Sequence, residues 1–168
     1  MSLDLYDASV PVLRHMLSNL DGILAKTEEH VAATRIDPSV FLQSRLYPDM
    51  FPLVRQVQVA TDHAKGAAAR LSGSEPPRYP DEESSFGEVR TRITKTLGYL
   101  DSIPRAAMEG AGLRRIAFKV GGTETEFESA SYLLGFALPN FFFHVTTAYD
   151  ILRHNGVPLG KRDYLGLR

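Results

Sequence analysis

Two histidines, His63 and His144, are the residues of this chain that best suit chemistry. Imidazole is the commonest metal ligand and the usual general base near neutral pH. His63 lies at the margin of the apolar face of one predicted helix, and His144 lies on the apolar face of another. Two such residues could face each other inside a helical bundle, where metal sites are commonly built. Asn140 precedes His144 by four residues, the spacing at which two ligands on one helix reach one ion.

The remaining histidines have simpler interpretations. His15 and His30 belong to the first predicted helix, and His154 lies in the last turn of the final one, where a cation complements the helix dipole. Other catalytic patterns are missing. There is no G-x-S-x-G nucleophile motif, and no Lys-Ser/Thr pair follows Gly121-Gly122 as a phosphate-binding loop requires.

Composition excludes several classes of protein. The chain has 168 residues, which predicts a single domain over 1–168. Its net charge of −1 offers no electrostatic footprint for nucleic acid and no basic anchor for a membrane surface. Without cysteine, it has no disulfide, thiolate nucleophile or Cys-ligated metal. Neither a signal peptide nor a run of 18 apolar residues is visible, so we expect a soluble cytoplasmic protein.

Hydrophobic periodicity predicts four long helices that position these side chains. Apolar residues recur at spacings of three and four over 7–34, 49–71, 85–103 and 130–154. Asp7, Asp49 and Ser85 are the predicted N-caps, and Glu88 would complete a capping box with Ser85. Gly73 is placed to end the second helix.

The segments between the helices carry further signals. The connector 35–48 contains Phe41, Leu42 and Leu46, so it should pack against the body. Residues 114–127 alternate on both sides of Gly121-Gly122, which predicts a β-hairpin. Pro139 should kink the last helix or mark its true start. The fold class is therefore mainly all-α, a four-helix bundle with a small β-hairpin before the last helix, and the long connectors allow a non-sequential helix order.

Two helical segments of the sequence resemble those of a known family. The second predicted helix contains Asp62-His63-Ala64-Lys65 and ends Arg70-Leu71-Ser72-Gly73, and the last contains Asn140-Phe141-Phe142-Phe143-His144 and runs to Leu152-Arg153-His154-Asn155-Gly156-Val157-Pro158. This pattern resembles the DinB/YfiT-like superfamily of four-helix bundles, and most closely a branch labelled as a domain of unknown function. In that superfamily one metal-binding histidine lies on the second helix and two lie four residues apart on the last.

The resemblance implies a candidate metal site made of His63, His144 and Asn140. Asn140 occupies the position of the middle histidine. Two imidazoles and an amide oxygen make a weaker site for zinc or nickel than three imidazoles do. Such a site also needs acceptors that orient each imidazole. Asp62 points away from His63 around the helix, which leaves Tyr149, Tyr132 and Tyr47 as candidates.

Two functions follow from these residues. The first is a small-ligand-binding or interaction module with a degenerate histidine site, in which Phe136, Phe141, Phe142 and Phe143 either contact an apolar ligand or pack in the core. The alternative is a divalent-metal-dependent enzyme of the thiol transferase, isomerase or hydrolase type, using His63 and His144. The missing middle histidine favours the module. We also expect a homodimer, formed through the hairpin and the outer side of the last helix.

Overall fold

Four long helices and a two-stranded hairpin make up the fold. The computed structural model describes residues 4–167. No helix within that range is long and apolar enough to span a membrane. The elements are α1 (Val10–Thr34), α2 (Pro38–Leu42), α3 (Leu53–Ser72), α4 (Phe86–Asp101), β1 (Arg115–Val120), β2 (Thr123–Glu128), α5 (Ser129–Tyr132), α6 (Leu138–His154) and α7 (Lys161–Leu165).

The helices do not pack in chain order. α3 lies against α4 on one side and α6 on the other, while α1 contacts both α4 and α6. α1 and α3 are therefore diagonal across the bundle, as the long connector between them permits. The apolar stripes meet in one core, which includes Leu17, Leu20, Val57, Ile93 and Phe141. This arrangement places the middle of α3, which carries His63, beside the middle of α6, which carries His144.

Two of the predicted helix starts are wrong. α1 begins at Val10 rather than after Asp7, and the Asp7 carboxylate instead pairs with Arg105. α3 begins at Leu53, with Pro52 as its N-cap, rather than after Asp49. A residue before proline is disfavoured in the helical conformation, so Pro52 prevents a helix from running through 51.

Other local predictions are confirmed. Ser85 and Glu88 form a reciprocal capping box at the start of α4. Gly73 ends α3 with a positive φ of 80°, which glycine adopts without steric cost. β1 and β2 pair antiparallel, with Val120 opposite Thr123 across the Gly121-Gly122 turn. Phe41 and Leu42 of α2 are buried, whereas Leu46 is 40% exposed and does not join the core.

The last helical stretch is interrupted before Pro139. A π-helical segment, Leu133–Ala137, separates α5 from α6, and Pro139 lies in the first turn of α6. Proline lacks an N–H and its ring clashes with the carbonyl four residues earlier. A wider turn removes that clash, and such π-turns are frequent at functional sites. Pro139 therefore lies at the start of α6, which is one of its two predicted roles.

The C-terminal tail forms a short helix that the sequence pattern did not predict. α7 docks on α1, where the Asn19 amide nitrogen donates to the Tyr164 carbonyl at 3.0 Å. Lys26 of α1 also pairs with Asp163. A five-residue helix carries too little periodicity to be recognised from sequence, and these contacts between distant parts of the chain stabilise it.

Candidate functional site

His63 and His144 meet where α3 crosses α6. Their ring centroids are 5.8 Å apart, and the two rings are within 15° of parallel. His144 is buried with 8% of its surface exposed, while His63 is partly buried. The two residues identified from the sequence are thus brought together. Two imidazoles that share one zinc ion at 2.0–2.1 Å have ring centroids about 5–6 Å apart, so this spacing fits a shared ion.

Gln56 fixes the orientation of His144. The Gln56 side-chain oxygen lies 2.7 Å from Nδ1 of His144, and the Gln56 amide nitrogen donates to the Phe51 carbonyl at 3.0 Å. The second bond sets which end of the amide faces His144. Because the facing atom is an oxygen, Nδ1 of His144 carries the proton and donates it, which leaves the lone pair on Nε2.

Both imidazoles are neutral at pH 7. Burial, with a smaller contribution from the neighbouring His144, lowers the pKa of His63 to about 4, while Asp62 opposes these effects. Burial also lowers the pKa of His144, with a smaller contribution from the positive charge of Arg55. A neutral imidazole can accept a hydrogen bond from a ligand or bind a metal ion, and a protonated one can do neither.

The ring nitrogens of His63 have no hydrogen-bond partner within residues 4–167. Every fully buried side-chain nitrogen in that range does have a partner, so these two are not fully buried. They therefore reach accessible space. This space is an open cleft of about 310 Å³ between α3, the hairpin and the π segment. Phe118 and Phe136 line it, with their ring centroids 5.5 Å apart, and Phe136 also contacts the His63 ring at 5.9 Å.

Asn140, the third candidate ligand, is partly buried one turn before His144. Its amide nitrogen donates to the Phe136 carbonyl at 2.7 Å, which bridges the π segment and α6. Its side-chain oxygen is the atom of the amide that could bind a metal ion. Across residues 4–167, no group of three His, Asp or Glu side chains gathers as a metal site would require. The donor set is two well-placed imidazoles and an amide that already has a structural role.

The residue that orients His144 is not one of the three tyrosines considered from the sequence. Gln56 contacts His144, whereas the Tyr132 hydroxyl accepts from Arg70, Tyr149 packs on Tyr164 and Tyr47 is 65% exposed. Asp62 turns away, as predicted, to Lys65 and Arg92.

A signal for the missed residues was present in the spacing. Gln56, His63 and Arg70 follow one another at intervals of seven residues on α3. Seven residues are nearly two whole helical turns. The three polar side chains therefore lie in one row, and a glutamine inside an apolar stripe was itself a hint of a buried hydrogen bond.

The fold is that of the DinB-like four-helix bundles. The chain is similar to the crystal structure of a DinB family member protein from Shewanella denitrificans, with 41% identical residues and a TM-score of 0.91. The match covers 96% of this chain and 92% of the other. The family model described as a domain of unknown function (DUF1993) matches residues 5–165. The chain belongs to this DinB-like family. No curated protein matches it significantly.

Proposed function

We propose that this protein is a small-ligand-binding module in which the neutral imidazole of His63 is the polar anchor and His144 packs against it. The observation that carries the proposal is the His63 imidazole, which is neutral, has unpaired ring nitrogens within the described residues and lies on an open cleft beside Phe118 and Phe136. Ligand sites are usually apolar clefts with a few polar groups that fix orientation. His144, held by Gln56, supports His63 from behind.

The aromatic residues divide between the two roles that the sequence left open. Phe141 is fully buried and belongs to the core, while Phe136 lines the cleft. Phe143 is 56% exposed on the outer side of α6, and Leu134, in the π segment that precedes α6, is 62% exposed. We propose that this outer side forms the interface of a homodimer. The cytoplasmic location expected from composition stays a prediction.

Thermal unfolding with a neutral aromatic probe tests the module. We expect 3-phenylpropanamide at ten times its dissociation constant to raise the Tm by about 4 °C, since it would stabilise the fold by about 1.4 kcal/mol. His63→Ala should lose that shift, and the matched surface variant His154→Ala should keep it. Zinc and nickel should leave the Tm unchanged. A Tm that rises with either ion and not with the probe would contradict the module.

A second candidate function is a divalent-metal-dependent enzyme, and the Gln56–His144 bond favours it. Histidines that bind metals almost always donate their other ring N–H to an acceptor, which fixes the tautomer. His63 and His144 would hold the ion, with the Asn140 oxygen or water completing the coordination. The metal would supply Lewis-acid chemistry for a thiol transferase, isomerase or hydrolase reaction. Zinc or nickel that raises the Tm of the wild type but not of the His63→Ala/His144→Ala variant would establish this function.

A further inference from the structure

The same cleft holds a positive charge that the proposed function does not explain. Arg70 lies on its wall, one heptad beyond His63 on α3. Its Nη1 donates to the Tyr132 hydroxyl at 3.2 Å, and its guanidinium carbon lies 4.2 Å from the Phe118 ring centroid. No carboxylate between residues 4 and 167 pairs with this guanidinium. Arginine in such a setting is matched to planar anions.

Gly66 makes room for this guanidinium. A Cβ atom on Gly66 would lie 2.6 Å from Nη1 of Arg70, well inside van der Waals contact. Glycine within a helix costs about 1 kcal/mol relative to alanine, so helix stability does not favour it here. Gly66 leaves space for the guanidinium, and Tyr132 and Phe118 hold it in place. A charged group that is held in place before binding loses less entropy when a ligand arrives.

The other charges around the cleft do not neutralise Arg70. The Asp62 carboxylate also lines it, but it already pairs with Lys65 and Arg92, each at 2.8 Å. Lys119 at the rim lies 3.9 Å from Glu124 of the facing strand. The charge left over at this site is therefore positive and is concentrated on Arg70.

We propose that the cleft binds a small organic carboxylate, with Arg70 as its anion-binding residue. The inference deepens the proposed function and rests on it, because both use the same cleft. The carboxylate would accept two parallel hydrogen bonds from Arg70. The apolar body would lie against Phe136, and His63 would contact a polar group on the ligand. A phosphate ester carries up to two negative charges at pH 7, more than one guanidinium balances.

The test compares two probes of the same shape and different charge. Protein-observed NMR titrations measure the dissociation constants of 3-phenylpropionate and of 3-phenylpropanamide. We expect the wild type to bind the carboxylate at least tenfold more tightly, in line with hydrogen bonds to a charged group. Arg70→Gln should bring the two constants within twofold of each other, because the carboxylate loses its charged partner. Arg153→Gln, which removes an exposed arginine at the end of α6, should keep the full preference.

The outcomes separate the inference from the proposed function. Equal binding of the two probes by the wild type overturns the carboxylate site and leaves the module intact. Binding of neither probe overturns both. Inorganic phosphate that displaces 3-phenylpropionate at equal concentration would overturn the assignment to carboxylates.

Gly66→Ala is the second variant, in case Arg70→Gln fails to fold. It keeps the charge and displaces the guanidinium, so we expect the preference for the carboxylate to fall at least threefold. A Gly66→Ala protein with the full preference would contradict a role for the held guanidinium.

Discussion

The shielding of His63 predicts a loss of stability in mild acid. The pKa of His63 is lowered to about 4 in the folded protein, against about 6.5 in an unfolded chain. The unfolded state therefore binds a proton between these two values while the folded state does not. Stability is fully present above pH 6.5 and is lost as the pH falls towards 4. His144, whose pKa is also lowered, contributes in the same direction.

The size of the effect follows from the two pKa values. At pH 5, protonation of the unfolded state costs the folded protein about 2 kcal/mol through His63 alone. Four groups face this imidazole: His144, Asp62, Lys65 and Arg70. Carboxylates with lowered pKa values, such as Asp7 and Asp163, act at lower pH.

Urea unfolding at pH 8 and at pH 5 measures this loss. His63→Gln removes the titrating group, so its loss of unfolding free energy between the two pH values should be about 2 kcal/mol smaller than that of the wild type. The matched variant His154→Gln, which removes an exposed imidazole at the end of α6, should lose as much as the wild type. Equal losses in His63→Gln and wild type would refute the shielding of His63, and with it the neutral anchor.

Three further predictions concern stability and assembly. Gln56→Met should lower the free energy of unfolding by about 1–3 kcal/mol, measured by urea unfolding, because it leaves the buried N–H of His144 without an acceptor; an unchanged midpoint would contradict the bond. Ser85→Ala should cost about 1 kcal/mol in urea unfolding by removing the capping box with Glu88, and an unchanged free energy of unfolding would contradict the cap. Light scattering should find a dimer in the wild type and a monomer for Phe143→Lys, and a wild-type monomer would refute the interface.

The sequence was sufficient to predict the elements that depend on local patterns. Long apolar stripes predicted four helices, and the alternation around Gly121-Gly122 predicted the hairpin. Several errors arose where a contact between distant parts of the chain decides the conformation. Asp7 pairs with Arg105 rather than capping α1, and α7 is held by contacts with α1 and α6. The π segment accommodates Pro139, but its length depends on packing that the hydrophobic pattern of the sequence does not encode.

The candidate site was predictable in part for the same reason. His63 and His144 were identified because both lie on or beside apolar faces, and the structure brings them together. Gln56 and Arg70 were missed as members of the site because their roles depend on a second element: Gln56 acts on α6, and Arg70 is held by Phe118 of β1. Their seven-residue spacing from His63 places them in one row but does not say what each one contacts.

Metal content tests the central claim most directly, since the module and the enzyme differ in it. Elemental mass spectrometry would be applied to untagged protein purified without chelator, with the His63→Ala/His144→Ala variant as control. We expect far less than one zinc or nickel ion per chain in both proteins, because two imidazoles and an amide that already bonds to Phe136 form a weak site. Near one ion per chain in the wild type and none in the variant would contradict it and establish the metal-dependent alternative.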